Sequence, residues 1–97
     1  MARVELVPEV LDDIDRILDH LERHAVADVR SRIAEIIQAF QILTRSPMIG
    51  RVVRGGHREL VIGRGARGYV ALYRYVAEVD TVFILALKGQ RELGYKH

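Results

Sequence analysis

With 97 residues, 49% of them hydrophobic, the chain is long enough for one core and too short for two, so a single domain over residues 1–97 is expected. The absence of cysteine excludes disulfide frameworks, thiolate zinc sites and cysteine nucleophiles, and the longest apolar run, VFILAL at 82–87, is far too short to span a membrane. The net charge of +2 conceals a division: residues 1–48 carry six Arg against nine Asp and Glu, whereas residues 49–97 carry nine Lys and Arg against four Asp and Glu, so the second half is expected to face an acidic partner, nucleic acid or an acidic protein segment, the alternative being a solvated surface that carries its charge unevenly.

Residues 1–7 alternate Val4 and Leu6 with Arg3 and Glu5, the pattern of a short strand, which Pro8 stops. From 8 to 24 the apolar residues Val10, Ile14, Ile17, Leu18 and Leu21 recur at three and four, with Asp12, Asp13, Asp15, Asp19 and Glu22 mostly on the other face. That spacing predicts an amphipathic helix with Pro in its first turn, where the missing N–H costs nothing. A second helix is predicted over 28–43, capped by Asp28 and burying Val29, Ile33, Ile36, Ile37, Phe40 and Leu43. The AVAD between them is short enough only for a helical hairpin. SPMIGR at 46–51 ends the helical part, because Ser46-Pro47 disfavours the helical conformation and Gly50 permits a sharp turn. Three strands follow at 58–62, 69–77 and 81–88, the last two joined as an antiparallel hairpin. The expectation is an α+β fold of two layers, with an N-terminal strand and helical hairpin packed on a mostly antiparallel sheet.

The last two strands hold more apolar surface than two helices can cover. One face of 69–77 carries Tyr69, Ala71, Tyr73 and Tyr75 and the other Val70, Leu72, Arg74 and Val76; in 81–88, Phe83, Leu85 and Leu87 oppose Val82, Ile84 and Ala86. Either a partner fills the uncovered face, or loops and the chain's own tail shield it.

GRGARG at 63–68 has the G-x-G-x-x-G spacing of a dinucleotide loop, but a strand follows it instead of a helix, so no helix N-terminus is available for a pyrophosphate. It reads as a hairpin turn presenting Arg64 and Arg67 to phosphate or carboxylate. His20 and His24 share a helix face but lack a third ligand, so an exposed polar pair is the stronger reading and no metal or other cofactor is expected. Thirteen of the fifteen basic residues are Arg, whose fork suits phosphate and carboxylate better than an ammonium does. His57-Arg58-Glu59, Tyr73-Arg74, Lys88, Arg91 and Tyr95 are the remaining groups that neighbouring strands could gather at one end of the sheet, though edge charge and core packing account for them as well.

The order helix, helix, SPMIGR, RELVI, GYVALYRYV, VFILALKGQRE resembles the RelE/ParE superfamily of bacterial toxins, often labelled plasmid stabilisation proteins, over nearly the whole chain. Pro47 with Gly50-Arg51, Arg58-Glu59-Leu60, Tyr73-Arg74 and a terminal strand running into Gln90-Arg91 carry the resemblance. It implies a type II toxin in a hetero-oligomer with its cognate antitoxin, acting in the cytoplasm. Two activities are implied as alternatives. A RelE-like member would be a ribosome-dependent mRNA endoribonuclease, in which Arg58 and Arg91 match the family's arginines and Tyr95 its C-terminal tyrosine. A ParE-like member would inhibit DNA gyrase and need no such site. The RelE pattern places lysines ahead of the sheet arginine, where this chain has Arg51 and Arg54, and an arginine is a poor proton donor. That difference favours the ParE side, with Arg51, Arg54, Arg64, Arg67, Arg74 and Lys88 as the expected contacts to target or antitoxin.

Overall fold

The computed structural model describes residues 1–24 and 28–97. In chain order the elements are β1 (Arg3–Leu6), α1 (Pro8–Arg23), α2 (Val29–Arg45), β2 (Arg51–Val52), β3 (Arg58–Ile62), β4 (Tyr69–Val76) and β5 (Thr81–Gly89). The connection expected to form the helical hairpin lies, apart from Asp28, outside the described residues. The strands form one sheet of order β1-β5-β4-β3-β2, antiparallel except where β1 runs parallel to β5. The expected α+β architecture holds. β2 adds a strand to the four that the pattern predicts, because a two-residue strand has no alternation to read.

Helix α1 begins with Pro8 in its first turn and Glu9 near the positive end of its dipole. Its buried stripe is Val10, Asp13, Ile17 and Leu21, a spacing of three and four that sets one side of the helix against the sheet. Helix α2 buries Ile36, Ala39, Phe40 and Leu43. Asp28 occupies the N-cap position but makes no side-chain capping bond, and Ile37, expected in the core, is 51% exposed. One residue along a helix turns through about 100°, so when Ile36 and Phe40 face the sheet Ile37 is carried to the flank.

The sheet's helix-facing side supplies Ile62, Tyr69, Ala71, Tyr73, Val82, Ile84 and Leu87 to the core. The expected face assignment in β5 is corrected here. In the β4–β5 ladder Leu72 pairs with Ala86 but Tyr73 pairs with Ile84, so Leu85 is passed over in a bulge. A bulge inserts one residue and reverses the alternation beyond it. Leu87 therefore joins Val82 and Ile84 on the core side, while Ala86 shares its row with Leu72 and Glu59 on the opposite face.

The β4–β5 connection is a short 3-10 turn, Ala77–Val79, with Asp80 in the left-handed region at φ 47°. The Tyr75 hydroxyl donates to Asp80 Oδ1 at 2.7 Å, which ties that turn to the strand it leaves and holds the phenol's pKa above its ordinary value. No helix among the described residues is long and apolar enough to cross a membrane.

Candidate functional site

The SPMIGR turn is built against β3 and β4. The Gly50 N–H donates to the buried Tyr73 hydroxyl at 2.8 Å, and the Arg58 guanidinium donates to the carbonyls of Met48 at 3.0 Å and Gly50 at 2.8 Å. A Cβ at Gly50 would lie 2.7 Å from the Glu59 carbonyl and equally close to the Tyr73 ring and hydroxyl, so the close approach itself requires glycine. Burial raises the Tyr73 pKa, partly offset by the Gly50 hydrogen bond and the nearby Arg58 charge, and keeps it a neutral phenol. Arg58 is thus a brace for the turn that precedes β2.

The opposite face carries a second constellation. Glu59 Oε1 accepts from Arg51 through Nε at 3.2 Å and Nη2 at 2.7 Å, and Glu59 Oε2 accepts from the Tyr95 hydroxyl at 2.7 Å. The Tyr95 hydrogen bond and then that of Arg51 hold the Glu59 carboxyl below its ordinary range. Burial, followed by the hydrogen bond to Glu59, drives the Tyr95 pKa far upward. The Lys88 ammonium sits 5.5 Å from the Tyr95 ring centroid, within range of a cation–π contact. Glu59, Leu72 and Ala86 form one cross-strand row and Val61, Val70 and Lys88 the next. Tyr95 touches groups of both rows, so the segment after β5 crosses the uncovered face there.

That placement divides the two explanations for the extra apolar face between different regions. The tail lies by the rows holding Val70 and Ala86, both buried. Further along, Phe83, Leu85 and Val76 are half-buried and Arg74 is exposed, while Val61, at the β3 end of the row it shares with Val70 and Lys88, is 54% exposed. What remains is an apolar strip edged by Arg51, Arg74 and Lys88.

Because adjacent residues of a strand point to opposite faces, Arg58 and the Glu59–Tyr95 pair stand on opposite sides of β3. Arg91 lies in the turn after β5, exposed. The three groups matched to a nuclease are therefore not gathered on one surface of β3. Arg54 is exposed in a 3-10 turn between β2 and β3. Arg64 and Arg67 stand at the β3–β4 hairpin, where GRGARG is a turn with Gly63 at φ 76°; together with Arg32, Glu35 and Gly63 they line an open cleft of about 470 Å³. His20 and His24 are exposed, with ring centroids 4.2 Å apart and His24 Nδ1 2.9 Å from the His20 carbonyl. No group of three His, Asp or Glu suited to a metal occurs among the described residues.

Sequence reasoning placed Asp13 with the solvated acids, whereas it is 2% exposed. Strand β1 ends at Leu6, opposite Ile84, and leaves the rest of the β5 edge without a neighbouring strand. Helix α1 completes that edge: Asp13 Oδ2 accepts the Leu87 N–H at 2.9 Å and Arg16 donates to the Leu87 carbonyl at 3.1 Å. Arg16 also pairs with Asp13 at 3.4 Å and with Glu92 at 3.3 Å, and His97 Nε2 reaches Asp13 Oδ2 at 3.1 Å. The only signal in the sequence is Asp13 falling three after Val10 and four before Ile17, in step with the apolar stripe.

A search of curated proteins found no match. The family model described as the ParE toxin of the type II toxin-antitoxin system, parDE, matches residues 4–94, a span that runs from β1 through the turn holding Glu92. The chain belongs to the ParE toxin family of type II toxin-antitoxin systems.

Proposed function

We propose that the chain, as one toxin domain, inhibits DNA gyrase in the cytoplasm and is held inactive in a hetero-oligomer by a cognate antitoxin. The observation that carries this reading over the ribonuclease alternative is the commitment of two of the three groups matched to a nuclease, Arg58 and Tyr95. RNA cleavage needs a base for the ribose 2′-hydroxyl and an acid for the leaving oxygen, each within hydrogen-bond reach of the reacting atoms. Arg58 spends its guanidinium on two backbone carbonyls. Tyr95 donates its proton to Glu59, and its raised pKa keeps it from acting as a phenolate base. A binding function asks less of these groups: an apolar strip rimmed by arginines can be buried by an amphipathic acidic segment without any proton transfer.

Arg51, Arg54, Arg74 and Lys88 are the proposed contacts around the open face. Purified toxin added to a supercoiling assay with gyrase and relaxed plasmid is expected to stop supercoiling, and added antitoxin to restore it. Full gyrase activity under excess toxin, together with codon-level cuts in translated mRNA that disappear in Arg91→Ala, would transfer the function to the ribosome.

A further inference from the structure

The cleft between α2 and the β3–β4 hairpin lies on the helix side of the sheet's end, away from the face that carries Glu59 and Tyr95. We propose that it binds an acidic peptide segment of a protein partner, with Arg32, Arg64 and Arg67 taking the carboxylates and Glu35 accepting from peptide N–H groups.

Two features give the cleft its form. Arg32 and Glu35 are three apart on α2 and share a helix face. The hairpin is set against that face: a Cβ at Gly63 would fall 2.9 Å from Glu35 Oε2, and the Gly68 N–H closes the tip on the Gly65 carbonyl at 3.0 Å. Arg64 and Arg67 thereby flank the backbone that meets Glu35. The volume of about 470 Å³ falls within the ordinary range of ligand sites, about 300–1,000 Å³.

The charges choose the ligand. Arg32, Glu35, Arg64 and Arg67 make no side-chain hydrogen bond or ion pair among the described residues, in contrast to Arg16, Arg51 and Arg58. Three guanidinium groups and one carboxylate leave two positive charges uncompensated, and guanidinium forks bind carboxylate and phosphate bidentately. Glu35 separates those two chemistries. A DNA phosphodiester backbone offers acceptors only and would set its anions against Glu35 with nothing to donate. A peptide brings carboxylates for the arginines and backbone N–H donors for Glu35, so every group in the cleft acquires a partner. The inference does not depend on which cellular target the toxin strikes.

The test uses the full chain and a short labelled peptide alternating Glu and Ser, followed by fluorescence anisotropy at low ionic strength. Binding is expected to weaken as salt rises and to fall about tenfold or more in Arg64→Gln/Arg67→Gln and again in Arg32→Gln, the loss of a charge-assisted contact in each case. The substituted side chains are exposed or half-exposed and unpaired, and an unchanged circular dichroism melt checks that the variants fold. Peptide affinity indifferent to these substitutions would overturn the proposal. A single-stranded DNA oligonucleotide of equal charge binding as tightly as the peptide, and losing affinity in the same variants, would overturn it in favour of a nucleic-acid site.

Discussion

Replacing Asp13 tests whether a helix side chain completes the unpaired edge of β5. In Asp13→Ala the Leu87 N–H, bonded at 2.9 Å to Oδ2 in a buried setting, loses its acceptor. An unsatisfied buried donor costs about 1–3 kcal/mol. The Arg16 and His97 contacts at 3.4 and 3.1 Å contribute less, since both partner side chains are 30% exposed and partly exposed pairs are worth about 0–1 kcal/mol. The sum is about 1–5 kcal/mol, which for a domain of this size lowers Tm by about 4–8 °C for each kcal/mol lost. Asp13→Asn keeps an amide oxygen for the Leu87 N–H and gives up only the ionic part, so a loss under about 1 kcal/mol is expected. Urea unfolding followed by far-ultraviolet circular dichroism measures both. If the alanine variant is within about 0.5 kcal/mol of the parent, the range of an ordinary surface change, or the asparagine variant is as damaged as the alanine one, the edge-completing role is refuted.

Other consequences are equally specific. Gly50→Ala forces a methyl to 2.7 Å from the Glu59 carbonyl and Tyr73 and is expected to cost about 1–3 kcal/mol as overpacking, read from denaturant midpoints; an unchanged midpoint would mean that the turn relaxes freely. In Tyr73→Phe the Gly50 N–H loses its partner inside the protein, and a destabilisation of about 1–3 kcal/mol should accompany it, again measured in urea. Tyr95→Phe removes the largest cause of the lowered Glu59 pKa, so the carboxyl followed by carbon-detected NMR should titrate at higher pH. A carboxyl depressed in the folded state contributes stability that is present above its unfolded value, near 4.5, and is lost as pH falls through the folded value. The parent should accordingly lose stability more steeply than Tyr95→Phe below that pH, and coincident profiles would show that the tail contact is not made in solution.

The order of the elements was legible because each rests on a local rule. Apolar residues at three and four define α1 and α2, Pro8 and Ser46-Pro47 mark helix limits, and alternation locates β1, β3, β4 and β5, with β3 bounded as expected at Arg58 and Ile62. The division between an acidic first half and a basic second half is likewise a property of the sequence, as are the ordered motifs that carry the resemblance to RelE/ParE toxins. Several features of the candidate site were not legible. The bulge at Leu85 depends on pairing between two strands, and it moves Leu87 into the core against simple alternation. Asp13 is buried because β1 stops short of the β5 edge, a relation between residues more than seventy positions apart.

The same distance separates composition from chemistry at β3. Sequence left open whether Arg58, Glu59 and Tyr95 gather at one end of the sheet or serve as edge charge and packing; only the folded sheet decided that the pleat sends Arg58 to the SPMIGR turn and Glu59 to Tyr95 on the other side. Periodicity, a property of neighbours along the chain, marked both helices and four of the five strands, and β2 escaped it because two residues are too few to alternate. The tertiary structure decided which charges are braces and which stand open in a cleft, because a side chain's partners are set by register, strand length and packing across the whole molecule.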